Sequence, residues 1–288
     1  MSKLLKMEFR RLFKSQYFYA FPAVVVIILV IEKITFDGTK MDSINISKVF
    51  GYGKEMLTFA IVAAGIMAIY HWSLEHKKGY IKNIAGNVSG KHIITISRMI
   101  IGSFIMIIYG ASSFLFGLFY SLINYEEIEV IGINPYPATA EELPERFRDR
   151  WISPEQWKSQ QMERFYRNLA EYLLVVLAGI AIIAFVLMLF EIFRSAAFSY
   201  IMVIMIGFNI LEPIICNLIA LINSKLEIAK HLILTQFSFI NGDLIEDAGG
   251  EIVNVDPDPI WTFWVRTGLY LAVFLVTAIV VSRKKDTV

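Results

Sequence analysis

The sequence has one cysteine, Cys216, among 288 residues, which excludes an internal disulfide framework. Cys216 lies in an apolar stretch, where a thiol behaves as a small hydrophobic side chain. Charged residues are also scarce, at 18% of the chain, whereas hydrophobic residues make up 56%. Several windows of about twenty residues carry almost no charge, which is typical of helices that cross a lipid bilayer. This composition excludes a disordered chain and a soluble enzyme of this size.

Motifs for nucleotide, proteolytic and metal chemistry are missing. The segment Gly86 to His92 imitates a phosphate-binding loop, but three residues rather than four separate its glycines, and histidine follows the lysine. We therefore do not expect the chain to hydrolyse ATP. Glu141 to Arg146 matches the EExxxR string of CAAX-type intramembrane proteases, but it contains a proline and lies in a predicted external loop. The histidines do not have the spacing of a metal site: His71, His76, His92 and His231.

Six apolar stretches are each long enough, at about 1.5 Å per residue, to cross about 30 Å of hydrocarbon. We place them at residues 17 to 34, 56 to 73, 99 to 123, 169 to 190, 196 to 222 and 260 to 281. The first stretch follows a basic segment, lacks a small-residue cleavage pattern and continues to Glu32 and Lys33. We therefore expect it to be a membrane span rather than a cleaved signal peptide.

Net positive charge is concentrated on one side of these spans. That side holds 14 of the 27 lysines and arginines, and only four acidic residues accompany them: Glu8, Glu75, Glu191 and Asp286. The positive-inside rule predicts that this side, with both termini, faces the cytoplasm. At the short inner turn around Phe193 to Ser195, we expect Glu191 and Arg194 to form a local pair beside a second partner contact.

Two of the predicted external segments are long. Residues 124 to 168 contain two patterns in which a hydroxyl residue stands three positions before Glu or Gln, Thr139 with Glu142 and Ser153 with Gln156. These patterns predict a small folded helical cap. Residues 223 to 259 begin with a mixed apolar run too short to span the membrane and then become acidic and glycine-rich. They are expected to form a re-entrant or interfacial element before the last span and the basic tail, residues 260 to 288.

The first segment, residues 1 to 16, combines an apolar with a basic face. Leu5, Phe9, Leu12 and Phe13 share one side of a helix, and the rest is basic: Lys3, Lys6, Arg10, Arg11 and Lys14. This pattern predicts an in-plane amphipathic helix with its basic face toward lipid phosphates. A role in fixing topology alone explains the charges equally well. No helix breaker separates the segment from the first span, so we expect the helix to continue into it.

The loop at residues 74 to 98 is patterned like an ordered structure. A turn around Glu75, a break at Gly79, a short helix over Tyr80 to Ile84 and a bend over Gly86 to Gly90 predict a compact knob with aliphatic tips and basic flanks. Such a knob would be a docking surface. A solvated basic loop is a comparable interpretation of the same residues.

The order of these elements resembles that of a known family. The KxEFRRLxKS helix, six spans, the Glu75-x-x-x-Gly79 loop with Arg98 after it, and the external segment before the last span resemble the permease subunits of six-helix-class ABC exporters, which include ABCG-like and polysaccharide exporters. The external stretch 124 to 168 departs from the short hairpin of minimal members, and the loop bend lacks the proline often found there.

The resemblance implies roles for two segments, one that connects to the spans and one that receives force from a separate ATPase. The first would be a connecting helix with these residues: Leu5, Phe9, Arg10, Arg11 and Phe13. The second would be a coupling helix at residues 75 to 91, within the loop 74 to 98, with these residues: Glu75, Lys78, Gly79, Tyr80, Ile81, Ile84, Val88 and Lys91.

Polar residues within spans are functional candidates, because Asp, Lys or Arg at a helix centre costs about 2.5 to 3.5 kcal/mol on insertion scales. In the fifth span, Asn209, Glu212 and Pro213 form a candidate transport path or gate, since proline removes a helix hydrogen bond. A structural kink explains them equally well. Arg266 is the fourth candidate for this path or gate; it lies near the outer interface, where it can snorkel or pair with Glu212.

We therefore expect an all-α polytopic membrane protein of the plasma membrane, the permease subunit of an ATP-driven ABC exporter. Its partners would be a second permease copy or homologue, membrane lipids and a cytoplasmic ATPase that carries ATP and Mg²⁺. No cofactor or nucleic acid is expected on this chain. Spans rich in Phe, Ile and Met suit an amphipathic or lipophilic cargo, such as an antimicrobial peptide.

The alternative is a membrane sensor or immunity protein that does not transport. Its acidic external cap would bind a cationic peptide by electrostatic attraction. Such a protein needs no ATPase and should tolerate disruption of the loop from Glu75 to Lys91.

Overall fold

The computed structural model describes residues 2–36, 38–77, 92–207, 210, 245–246, 252–253 and 259–284. Helices dominate: α1 (Ser2–Lys14), α2 (Ala20–Thr35), α3 (Ile46–Lys77), α4 (His92–Asn124), α5 (Glu145–Arg148), α6 (Pro154–Phe193), α7 (Ala196–Gly207) and α8 (Ile260–Lys284). Short 3₁₀ turns cover Gln16–Tyr19 and Ala140–Glu142. The predicted helical architecture is confirmed, with a small amount of added strand.

Among the described residues, five stretches of helix are long and apolar enough to cross a membrane: Gln16–Thr35, Ile46–Leu74, His92–Asn124, Pro154–Phe193 and Ile260–Lys284. They contain five of the six predicted spans, so the chain is a membrane protein. The remaining span, predicted at residues 196 to 222, begins at Ala196, and α7 is described as far as Gly207. Apart from Ile210, the rest of that stretch lies outside the described residues.

The outer surfaces of α2 and α8 are strongly apolar. Ile27 and Ile31 on α2, and Leu269 and Val273 on α8, each expose more than half of their surface. Exposure of such surfaces to water is unfavourable, whereas contact with lipid tails is not, because the tails are as apolar as these side chains. The exposed faces are those of helices that contact lipid.

The junction between α1 and α2 differs from the expected continuous helix. Ser15 has an extended backbone, with φ −80° and ψ 120°, and the 3₁₀ turn follows it. The Ser15 N–H donates to the Leu12 carbonyl at 3.0 Å, and the Tyr19 hydroxyl donates to the Phe13 carbonyl at 3.1 Å. These bonds satisfy carbonyls that the end of a helix leaves without partners, so the chain can turn between α1 and the first span.

The helix α6 begins where the capping pattern predicts. The Ser153 Oγ accepts a hydrogen bond from the Gln156 N–H at 3.2 Å, and the Gln156 Oε1 accepts one from the Ser153 N–H at 3.3 Å, which is a complete capping box. From Pro154 the helix runs for 40 residues to Phe193. At 1.5 Å per residue it is about 60 Å long, so the predicted cap helix and the fourth span form one rod.

A short parallel strand pair was not predicted. Strand β1 (Met41–Asn45) pairs with β2 (Tyr125–Glu129), with Met41 opposite Tyr125 and Asn45 opposite Glu129. The Asn45 Oδ1 also accepts the Ser47 N–H at 2.8 Å and so caps the start of α3. Strands β3 (Ile245–Glu246) and β4 (Ile252–Val253) form a second, antiparallel pair within the predicted re-entrant segment.

The chain divides into two compact units. The first unit comprises Met1–Val24, Leu57–Ser112 and Leu174–Val288. Its described core is built from α3, α4 and α6, with Trp72, Tyr109 and Leu187 fully buried. Gly102 on α4 brings the helix backbone against Ile183 of α6, which leaves no room for a larger residue.

The second unit comprises Val25–Met56 and Ser113–Leu173. Its core is aromatic, with the Phe50 ring 5.3 Å from Phe114, 5.9 Å from Phe165 and 5.9 Å from Tyr172, centre to centre. Trp151 and Trp157 fold the segment before α6 inward, because their indole N–H groups donate to the carbonyls of Pro137 and Gly132.

Candidate functional site

Most of the predicted coupling residues lie outside the described part of the chain: Lys78, Gly79, Tyr80, Ile81, Ile84, Val88 and Lys91. Glu75 belongs to the last turns of α3, and its side chain is likewise outside the description. The same holds for the gate candidates Asn209, Glu212 and Pro213. Arg266 is described on α8, with its guanidinium carbon 5.6 Å from the ring centre of Phe263. Its pairing with Glu212 stays a prediction.

The connecting-helix residues are described, and the buried stripe of α1 differs from the predicted one. Leu4, Glu8 and Leu12 are the buried positions, spaced four residues apart along one side. Phe13, expected on the apolar face, is 46% exposed, although its ring still contacts Phe104 edge-on at 5.8 Å. Leu5 and Phe9 are half-buried, Phe9 also packing edge-on against Phe104, and Arg10 is exposed.

Glu8 forms the first buried ion cluster of the first unit. Its Oε2 atom lies 2.8 Å from the His71 Nε2 and 3.2 Å from the Arg11 Nη2. Arg11 Nη2 also donates to the His71 backbone carbonyl at 2.8 Å. When Glu8 is ionised, its carboxylate can only accept hydrogen bonds, and the His71 Nε2 is then the donor. The side chains of Glu8 and His71 are only 5% and 2% exposed, so α1 is fixed to α3 by a polar contact shielded from solvent.

Glu191 forms the second buried ion cluster. Its Oε1 atom accepts hydrogen bonds from the Arg98 Nη1 at 2.7 Å and from the Thr95 Oγ1 at 3.3 Å. The Arg98 side chain is 4% exposed, and its guanidinium carbon lies 5.5 Å from the ring centre of Phe190. This cluster joins the first turns of α4 to the last turn of α6.

Glu191 binds Arg98 of α4, and its expected pairing with Arg194 stays a prediction. Side chains three residues apart are close neighbours when both lie on one helix. Arg194 stands just past the end of α6 with a positive φ of 52°, a left-handed conformation that turns the chain. Glu191 contacts α4, which the sequence places more than ninety residues earlier.

The two clusters flank the segment 78 to 91. His71 lies about two turns before the end of α3 at Lys77, and Arg98 lies about two turns after the start of α4 at His92. Each helix that borders the segment is therefore tied, close to its end, to a further helix: α3 to α1 and α4 to α6. Both ties belong to the first unit.

The sequence contained one sign of the first cluster. Glu8 occupies the i+4 position after Leu4 and the i−4 position before Leu12, so a carboxylate interrupts an otherwise apolar stripe. A carboxylate in that register must find a buried partner or remain outside the packed face. Its partner, His71, lies 63 residues away, and local spacing does not reveal it.

One of the rejected motifs, the string from Glu141 to Arg146, lies within the described residues, whereas residues 86 to 91 lie outside them. Glu141 and Glu142 lie in an exposed 3₁₀ turn, where the Thr139 hydroxyl donates to Glu142 Oε1 at 2.9 Å. Across the described ranges, no group of three or more His, Cys, Asp or Glu side chains is arranged to hold a metal ion.

Comparisons with protein-family models, with curated proteins and with solved structures give no match for this chain. The resemblance to six-helix ABC exporter permeases therefore stays a prediction.

Proposed function

We propose that this membrane protein is the permease subunit of an ABC exporter, with both termini in the cytoplasm. A separate ATPase would bind the segment from Glu75 to Lys91, and two permease chains would enclose the transport path. The observation that carries the proposal is the pair of buried ion clusters on the helices that border this segment.

The first support is mechanical. A force applied to residues 78 to 91 must enter the protein through the end of α3 and the start of α4. Coupling over distance is carried by packed helices and hydrogen-bonded networks that move together. The contact between Glu8 and His71 joins α3 to α1, and the contact between Arg98 and Glu191 joins α4 to α6. A push on the segment would thus move four helices together instead of bending two helix ends.

The second support is the cost of these clusters. Ionic side chains removed from water lose solvation, and apolar replacements of similar volume are often as stable or more so. Stability alone is therefore a weak reason for Glu8, His71 and Arg98 to be buried and for Glu191 to be largely shielded from solvent. Fixed relative positions of helices are a better reason, since an ion pair is favourable only in one geometry.

The surface of α1 agrees with a connecting role. Lys3, Lys6, Arg10 and Lys14 are exposed, whereas Leu4 and Leu12 are buried. A helix with this division can lie at the membrane surface with its basic side chains among lipid phosphates. The apolar spans suit an amphipathic or lipophilic cargo.

The test is to purify the tagged full chain in mild detergent from the cells that encode it and to identify associated proteins by mass spectrometry. Glu75→Lys is the test variant. Glu163→Lys, an equal charge reversal at an exposed position of α6 in the second unit, is the matched control. An ATPase should be recovered with the unaltered chain and with Glu163→Lys, and lost with Glu75→Lys. If the unaltered chain yields no ATPase, with or without added ATP, the exporter proposal is wrong and the sensor hypothesis is favoured.

A further inference from the structure

The second unit contains a cluster of aromatic rings and carboxylates. Its residues lie near the ends of α2 and α4, near the start of α3 and at the start of β2. Tyr120 on α4 lies at the centre, with its ring 4.8 Å from that of Tyr52 on α3, centre to centre. The Tyr52 and Tyr125 hydroxyls are 3.5 Å apart. The carboxylates of Glu32 and Glu55 both lie close enough to the Tyr120 hydroxyl to interact with it electrostatically. We name these five residues the tyrosine–glutamate cluster.

The carboxylates of this cluster keep their capacity to bind a cation. Glu32 Oε1 accepts one long hydrogen bond, 3.4 Å from the Asn124 Nδ2, and Glu55 is exposed. Within the described ranges, neither carboxylate forms an ion pair. The Lys40 ammonium donates to the backbone carbonyl of Leu122, two residues after Tyr120, at 2.7 Å. By contrast, Glu171 in the same unit is paired with Lys54 and Arg167.

Tyrosines at the ends of membrane spans commonly form an interfacial belt, and that role accounts for the rings alone. It does not account for two acidic side chains near the Tyr120 hydroxyl that form no ion pair with any basic residue in the described part of the chain. Ring faces attract cations through their quadrupole, and carboxylates attract them by charge, so the two together favour an organic cation over a neutral or anionic group.

We propose that the tyrosine–glutamate cluster binds an organic ammonium group. Such a group is supplied either by a soluble cation or by the headgroup of a zwitterionic lipid, since the cluster lies at helix ends. The site requires no ATPase and no second chain, so it stands or falls independently of the exporter proposal.

The probe is tetramethylammonium chloride, titrated into the purified full chain in a neutral maltoside detergent. Binding is followed by saturation transfer from the protein to the methyl protons. We expect a Kd of roughly a few millimolar, because each ring and each carboxylate at a partly exposed site contributes little. Tert-butanol, a neutral molecule of similar shape, should bind much more weakly.

Glu55→Gln should raise the Kd by about three- to fivefold, since it removes one charge from a partly solvated site. Glu163→Gln removes an equal charge from an exposed position outside the cluster and should leave the Kd unchanged. Tyr52→Leu, which removes a ring face, should raise the Kd by about two- to fivefold. Glu55→Gln alters an exposed side chain, so its result holds even if Tyr52→Leu fails to fold.

Two results would overturn the proposal: equal binding of tert-butanol and tetramethylammonium, or equal effects of Glu55→Gln and Glu163→Gln. A final arm identifies the source of the ammonium group. If short-chain phosphatidylcholine displaces the probe while short-chain phosphatidylglycerol does not, the site accepts lipid headgroups. If neither displaces it, the site accepts soluble cations, and both of these results uphold ammonium binding.

Discussion

At the scale of single residues, Glu8 determines how α1 is held. One carboxylate oxygen meets both His71 Nε2 and Arg11 Nη2, and the side chain is nearly inaccessible to solvent. The flanking apolar residues Leu4 and Leu12 exclude water from the contact. The attraction is therefore less screened than that of a surface pair, and its loss removes the carboxylate that the His71 Nε2 and the Arg11 Nη2 share.

Glu8→Ala should destabilise the protein by about 3 kcal/mol, the lower end for breaking a buried pair, because Arg11 is partly solvated and can recover some hydration. Lys6→Ala, on the exposed side of the same helix, should change stability by less than about 0.5 kcal/mol. Thermal unfolding of both variants in one detergent measures the difference. Equal unfolding temperatures for the two variants would show that the cluster does not hold α1.

Contacts of single residues differ in how far the sequence predicts them. The Ser153 and Gln156 capping box was predictable, because both partners lie within one turn and the pattern specifies its own hydrogen bonds. The partners of Glu8 and Glu191 were not, because they are tens of residues away on other helices. Periodicity indicates which face of a helix is buried but not which helix covers it.

At the scale of elements, the lengths of the helices were harder to predict than their existence. The apolar centres of five spans were all found, but α3 and α6 extend well beyond them into polar sequence. Hydropathy marks the part of a helix that meets hydrocarbon and carries no information on where hydrogen bonding ends. The parallel pair of β1 and β2 was missed because each strand is five residues long and adjoins a long helix.

The crossing of α3 and α4 in the second unit depends on two glycines, Gly53 on α3 and Gly117 on α4. A Cβ placed on Gly117 would collide with the backbone at Val49 and Gly53, which cannot move as a flexible side chain can. Gly117→Ala should therefore destabilise the protein by about 2 kcal/mol or more, as overpacked cores do. The effect is measured as a lower temperature of thermal unfolding.

Gly51→Ala is the matched control for this substitution. A Cβ at Gly51 meets nothing within 4 Å, so alanine should stabilise α3 by up to about 1 kcal/mol through its higher helix propensity. If both substitutions raise the unfolding temperature, the close approach of α3 and α4 does not exist in the membrane protein.

At the scale of the whole molecule, composition and charge predicted the class of protein and one orientation. A chain whose described residues include five apolar helices of sufficient length belongs in a membrane, whatever its partners. The partners depend on surfaces that a hydropathy pattern does not describe, which is why the exporter remains a proposal. The number of spans bears on both the class of protein and its partners, because it determines whether the two termini lie on the same side of the membrane.

The single cysteine makes that number measurable. In a Cys216→Ser chain, cysteines introduced one at a time as Ser2→Cys, Lys158→Cys and Thr287→Cys can be labelled in intact cells with a membrane-impermeant maleimide, and again after permeabilisation as a control for reactivity. We expect Lys158→Cys to be labelled in intact cells and the other two only after permeabilisation, because the basic segments face the cytoplasm and six crossings return the chain to its starting side.

Labelling of Thr287→Cys in intact cells, with Ser2→Cys still protected, would mean that residues 196 to 222 do not cross and that five spans are present. Labelling of Ser2→Cys in intact cells would reverse the orientation and place residues 78 to 91 outside, beyond the reach of a cytoplasmic ATPase.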